Sequence, residues 1–143
     1  MQYVSQWGKP GKKIVAVGET SGETVDKEIV EEATDMVVTS KNLSPKGGKY
    51  VAITFDDGPS DYTQQILDIL EEKGAKATFY NLGENAQNKP KLTKAVVDGG
   101  HELASHTMAH KNLPKLDRDS LRNEITTAFD ALKEASGETT QMI

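Results

Sequence analysis

Two adjacent carboxylates, Asp56 and Asp57, and two histidines four residues apart, His106 and His110, are the residues whose types and spacing could do chemistry. Neighbouring carboxylates at the mouth of an apolar strand suffer partial desolvation and mutual repulsion, which disfavours charging both unless a cation is near. Histidines at i and i+4 can aim both imidazoles at one point if the segment makes a helical turn. With Asp57 they form an Asp/His/His set. Two neutral imidazoles and one carboxylate suit Zn²⁺, Co²⁺, Ni²⁺ or Fe²⁺ better than Ca²⁺ or Mg²⁺, which want mostly oxygen. Three protein ligands also leave a coordination position open, as catalytic zinc sites do. Alone, Asp-Asp-Gly-Pro is most often a surface turn and His-x-x-x-His an exposed helix face. The weight comes from their order and from each following a strand. Thr107 is expected to hydrogen-bond the loop and not to react, and His101, at the start of a strand, reads as structural.

The apolar run Tyr50-Val51-Ala52-Ile53 leads into Thr54-Phe55 and reads as a strand buried on one broad face, ended by Gly58-Pro59. Asp61 with Gln64 resembles a capping box opening a helix whose apolar face is Ile66, Leu67, Ile69 and Leu70, closing at Gly74. A second strand centres on Thr78-Phe79-Tyr80 and gives way at Gly83 to a polar loop. Pro90 then opens a helix striped by Leu92, Ala95 and Val96. Residues 102–105 lead into the histidines, and Leu121, Ile125, Ala128 and Leu132 mark a long amphipathic helix ending at Gly137. Upstream, residues 13–17 suggest a strand. Residues 25–38, with Val25, Ile29, Ala33 and Val37 every four positions, suggest a helix. Residues 40–49 read as a linker, and Trp7 as packing or contact surface. Strands alternating with helices give an α/β class with a parallel sheet, whose sites gather at the C-terminal strand ends.

Thr-Phe-Asp-Asp-Gly-Pro and His-Thr-x-x-His, with Ala77-Thr78-Phe79-Tyr80 and Gly99-Gly100-His101-Glu102 between them, resemble the polysaccharide deacetylases of carbohydrate esterase family 4. The resemblance runs from about Tyr50 to the C-terminus. It implies that Asp56 is the general base, that Asp57, His106 and His110 hold the metal, zinc first with cobalt or nickel possible, and that Thr107 supports the loop. It implies metal-dependent hydrolysis of N-acetyl groups on an N-acetylglucosamine-containing polysaccharide, chitin-like or peptidoglycan, in an extracytoplasmic or cell-wall setting. The implied fold is a distorted β/α barrel, here partial and truncated after about three βα units. The family's Arg-x-Pro-Tyr segment and general acid have no counterpart in this sequence. The expected organisation is therefore an upstream appendage and linker over 1–48, and over 49–143 the N-terminal portion of a deacetylase catalytic domain, inactive alone. A complementary C-terminal fragment, or another copy, would complete the barrel. Two other readings stay open: a non-catalytic metal- or glycan-binding fragment, and a metal-independent amide hydrolase of related fold.

The 143 residues, 36% of them hydrophobic, are enough for one ordinary core. A net charge of −5 argues against nucleic acid or an anionic membrane surface as the main partner. No window approaches the apolar length of a membrane span. Absence of cysteine removes disulfides and thiolate ligands.

Overall fold

The structure is a computed structural model that describes residues 2–6, 8–9, 12–17, 24–32, 34, 37–40 and 49–143. It divides into two compact units, Val4–Thr39 and the combination of Met1–Tyr3 with Ser40–Ile143. Trp7 and most of the expected linker lie outside the described residues.

In the first part of the chain, β1 (Gln2–Gln6) pairs with β4 (Val37–Ser40), and β2 (Lys12–Val17) pairs with β3 (Thr24–Glu31). The second pair is antiparallel, with Ala16 opposite Val25 and Lys13 opposite Ile29. The expected helix over 25–38 is thus a strand followed, after a break, by the start of another. The reason lies in the spacing. A recurrence of four is an even number, so it satisfies the two-residue period of a strand as well as the helical period. The β-branched Thr24, Val25, Ile29 and Val30 favour the extended form.

The second unit holds three parallel strands in the order β5 (Thr54–Gly58), β6 (Thr78–Asn81) and β7 (Glu102–Ser105). Phe55 lies opposite Phe79, and Phe79 opposite Leu103, so the three rows stay in step. Helices α1 (Thr63–Glu72), α2 (Gly83–Asn88), α3 (Pro90–Asp98) and α4 (Arg118–Ser136) fill the crossovers and follow the last strand. The core joins Leu67 and Leu70 of α1, Phe79 and Leu103 of the sheet, Ala86 and Val96 of α2 and α3, and Leu132 of α4. Phe79 stacks on Phe55 with ring centroids 5.0 Å apart. Burying a side chain of this size contributes about 1.5–3 kcal/mol.

Three local expectations change. The first strand begins at Thr54, and Tyr50, Val51 and Ile53 before it are exposed, Val51 to 88%. β5 is the edge of this sheet, and its pairing with β6 starts at Ile53 O, which accepts from Thr78 N at 3.0 Å. Asp61 does not cap α1, whose N-cap is Tyr62 without a side-chain bond. Its carboxylate instead pairs with Lys89, and the turn closes through Ser60 N donating to Thr63 Oγ1 at 2.8 Å. The polar stretch after Gly83 is helical, not a loop. The amides that open α2 find partners in another segment: Gly83 N donates to Thr107 O at 3.0 Å and Glu84 N to Met108 O at 3.1 Å. A helix start satisfied by a distant backbone carries no capping residue for a sequence reading to find. Gly83 is required for that approach, since a Cβ there would lie 2.4 Å from Met108 Sδ and 3.0 Å from Ala128 Cα. α3 and α4 follow expectation, with Pro90 at the start of one and Asp117 capping the other through Asp119 N and Ser120 N. Gly137 closes α4 at φ 81°.

Candidate metal centre

Asp57 and the two histidines meet at the C-terminal ends of β5 and β7, on either side of the central strand β6. At the end of β5, Asp57 adopts φ 62°, and Asn85 Nδ2 donates to its carbonyl at 2.8 Å. Gly58 O accepts from Leu82 N at 2.9 Å, which ties the strand end to the start of α2. Gly58 is needed here because a Cβ would sit 2.6 Å from Asn81 Oδ1. Asn81 itself is buried, and among the described residues neither of its side-chain polar atoms has a hydrogen-bond partner.

Beyond β7, His106 N continues the ladder by donating to Asn81 O at 2.9 Å. The chain then makes a turn, not the helical turn expected from the i, i+4 spacing. Thr107 at φ 70° and His110 at φ 53° both lie in the left-handed region. Each such non-glycine position costs about 1–2 kcal/mol, so surrounding bonds must hold it. Thr107 N donates to Ser105 Oγ at 3.2 Å, and Thr107 Oγ1 accepts from His110 N at 3.0 Å. Thr107 is thus buried in the loop that its hydroxyl braces.

This turn brings the His106 and His110 ring centroids to 4.9 Å. His106 Nε2 lies 3.6 Å and His110 Nε2 3.9 Å from Asp57 Oδ1. One ligand atom from each of the three residues falls within 4.8 Å of the others. A tetrahedral zinc with donors at ~2.0–2.1 Å needs them roughly 3.4 Å apart, so the set fits after a small inward closure. The donor chemistry fits too, being nitrogen-rich with one carboxylate.

Asp56 stands outside this trio, exposed on β5 and opposite Tyr80 in register. Burial, and then the charges of Asp56 and Glu102, push the Tyr80 hydroxyl above its ordinary pKa. His101 precedes β7, five residues before His106, and is buried. Its Nδ1 accepts from Ala77 N at 3.3 Å and its ring meets Phe79 edge-on at 5.5 Å. Burial, then the nearby Lys76 charge, hold its pKa below the ordinary value.

One residue of this region went unnoticed in the sequence. Glu124 lies on α4, only 2% exposed, and its Oε1 accepts from Ala109 N at 2.5 Å. Its Oε2 is 3.4 Å from Lys111 Nζ, and its backbone carbonyl accepts from Met108 N at 3.0 Å. Burial pushes this carboxyl up, but the amides of Ala109 and Lys111 and the Lys111 charge outweigh it and hold it below its ordinary range. The available signal was an acid inside the stripe formed by Leu121, Ile125 and Ala128.

The sequence pattern of the polysaccharide deacetylase family matches residues 44–143. A peptidoglycan-N-acetylglucosamine deacetylase of Bacillus cereus is 43% identical over 88 residues, covering 61% of this chain and 32% of that protein. A chitooligosaccharide deacetylase of a Bradyrhizobium species is 38% identical over 90 residues, covering 62% of this chain and 41% of its own length. Among solved structures, a T48 deacetylase with substrate superposes with a TM-score of 0.62 at 42% identity, covering 63% of this chain and 45% of that one. The chain therefore spans less than half the length of these relatives.

Proposed function

Because this chain belongs to the polysaccharide deacetylase family, we propose that its second unit carries the metal-holding part of a centre that hydrolyses N-acetyl groups on an N-acetylglucosamine-containing glycan. The observation that supports this reading is the convergence of Asp57, His106 and His110 within 4.8 Å. These three residues would hold a divalent ion, zinc first with cobalt or nickel as substitutes. That ion would supply Lewis acidity, polarising an acetamido carbonyl and acidifying water.

The remaining chemistry falls to the chain's own groups. Asp56 would accept the proton of the attacking water, since it is a carboxylate beside the ligand Asp57 that is not itself one of the converging three. Thr107 and Asn85 would hold the two strand ends in place, through the bonds to His110 N and Asp57 O. As the C–N bond breaks, the departing amine needs a proton. We assign that donor to polypeptide outside these residues, on a complementary segment or a second copy. The edge of β5, unpaired among the described residues, and the exposed Tyr50, Val51 and Ile53 beside it support this assignment. The deacetylase part would begin at about residue 49, with 1–48 an appendage and linker. The names of the relatives favour a peptidoglycan or chitin-like substrate and hence an extracytoplasmic, cell-wall setting. No helix among the described residues is long and apolar enough to cross a membrane.

The deciding experiment combines zinc or cobalt titration of the chain with acetate release from N-acetylglucosamine oligomers, by this chain and by a form extended to the length of its relatives. Metal binding in both and acetate release by the extended form are expected. A chain that binds neither metal, or an extended form that binds metal without releasing acetate, would sink the reading, the second outcome favouring a non-catalytic metal- or glycan-binding protein.

A further inference from the structure

We infer that Glu124 is a positioning residue for the metal centre, holding the histidine turn from behind so that His110 faces Asp57. This inference rests on the function proposed above. The turn is anchored on three sides. His106 N is fixed to Asn81 O in the ladder, and the carbonyls of Thr107 and Met108 are taken by the first amides of α2. Its far end is tied to Glu124: Met108 N to the backbone carbonyl, Ala109 N to Oε1, and Lys111 Nζ to Oε2. His110 thus sits between two residues that both reach back to one buried carboxylate.

His110 needs this restraint more than His106 does. Its φ of 53° is a conformation that a non-glycine residue leaves when free to do so. Its side chain is 63% exposed, so packing does little to fix the ring. Its Nε2 is also the farther of the two imidazole atoms from Asp57 Oδ1, at 3.9 Å. The hydroxyl of Thr107 holds the His110 amide, and the carboxylate of Glu124 holds the residues before and after it. Removing the carboxylate should let the turn relax toward negative φ and carry the imidazole away from the other two donors. Groups that orient metal ligands in this way typically account for 10–100-fold in affinity.

The test uses the full chain and Glu124→Gln, which keeps the shape but replaces one acceptor oxygen by a donor. Cobalt affinity is expected to fall roughly 10–100-fold, with a changed visible absorption of the bound cobalt as the ligand geometry loosens. In the metal-free protein, hydrogen exchange at the Ala109 and Lys111 amides is expected to accelerate while that of Ala128 and Leu132 in α4 does not. Unchanged cobalt affinity and spectrum would overturn the inference, as would acceleration that is equal in the turn and in α4. If the variant does not fold, the metal-free wild type decides: an Ala109 amide exchanging as slowly as those of α4 supports the restraint, and one exchanging as fast as an open loop refutes it. A wild type that binds no cobalt would instead remove the proposed function, leaving the exchange measurements to judge the contact alone.

Discussion

At Asp57, His106 and His110 the candidate donors were legible from residue type and order, because a carboxylate and two imidazoles after successive strands suit a transition-metal ion. The geometry that joins them was not, since it depends on left-handed backbone at Asp57, Thr107 and His110 where no glycine marks it. His110→Ala is expected to weaken zinc or cobalt binding at least tenfold by calorimetry, with little loss of fold because the side chain is largely exposed. Full retention of affinity would remove His110 from the ligand set. Asp56→Asn should behave differently, keeping the metal while lowering acetate release about 10²–10⁴-fold in a form that turns over. Parallel loss of metal content and activity would make Asp56 a ligand instead.

Elements divide according to whether their signals are local. α3 and α4 were readable from their apolar stripes with Pro90 at the start of one and Gly137 at the end of the other, while the Asp117 cap of α4 came only with the structure. α2 was not, because its first amides are satisfied by Thr107 and Met108 carbonyls more than twenty residues away. The crowding of the strand ends gives a test at this scale. Gly58→Ala would place a methyl 2.6 Å from Asn81 Oδ1, and Asn81 is fully buried and has nowhere to turn. A loss of about 1–3 kcal/mol in urea unfolding is expected, as for other overpacked sites, and a neutral change would mean that the strand ends are looser than described. The start of β7 gives another. His101 has its pKa depressed by burial and then by Lys76, so between its ordinary 6.5 and the lower folded value the unfolded chain binds more protons. The contribution of His101 to the stability of the metal-free protein is therefore full above 6.5 and falls as pH drops below it. His101→Gln should flatten that limb of the pH profile. An identical slope in both proteins would show that the imidazole titrates alike folded and unfolded.

Among the described residues the three-stranded sheet leaves β5 at its edge with Val51 and Ile53 exposed beside it, and unpaired strand edges seek partners. The chain alone is expected to self-associate in sizing experiments, and to do so less when a segment supplying the remaining length of its relatives is co-expressed. A monodisperse monomer at high concentration would contradict this. By itself the sequence determined the α/β class, the order of strands and helices from Thr54 onward apart from α2, and the identity of the candidate ligands. Each of these follows from local periodicity, punctuation and side-chain chemistry. It did not determine the strand character of residues 24–31, because a spacing of four satisfies both periods. Nor did it reveal the exposure of 50–53 or the roles of Asn81, Gly83 and Glu124. Those depend on which backbone groups approach across the fold, and only tertiary packing decides that. The candidate metal site shows the same division: its three possible donors are written in the chain, while the backbone partners of the histidine turn come from Glu124 on α4 and from the first turn of α2.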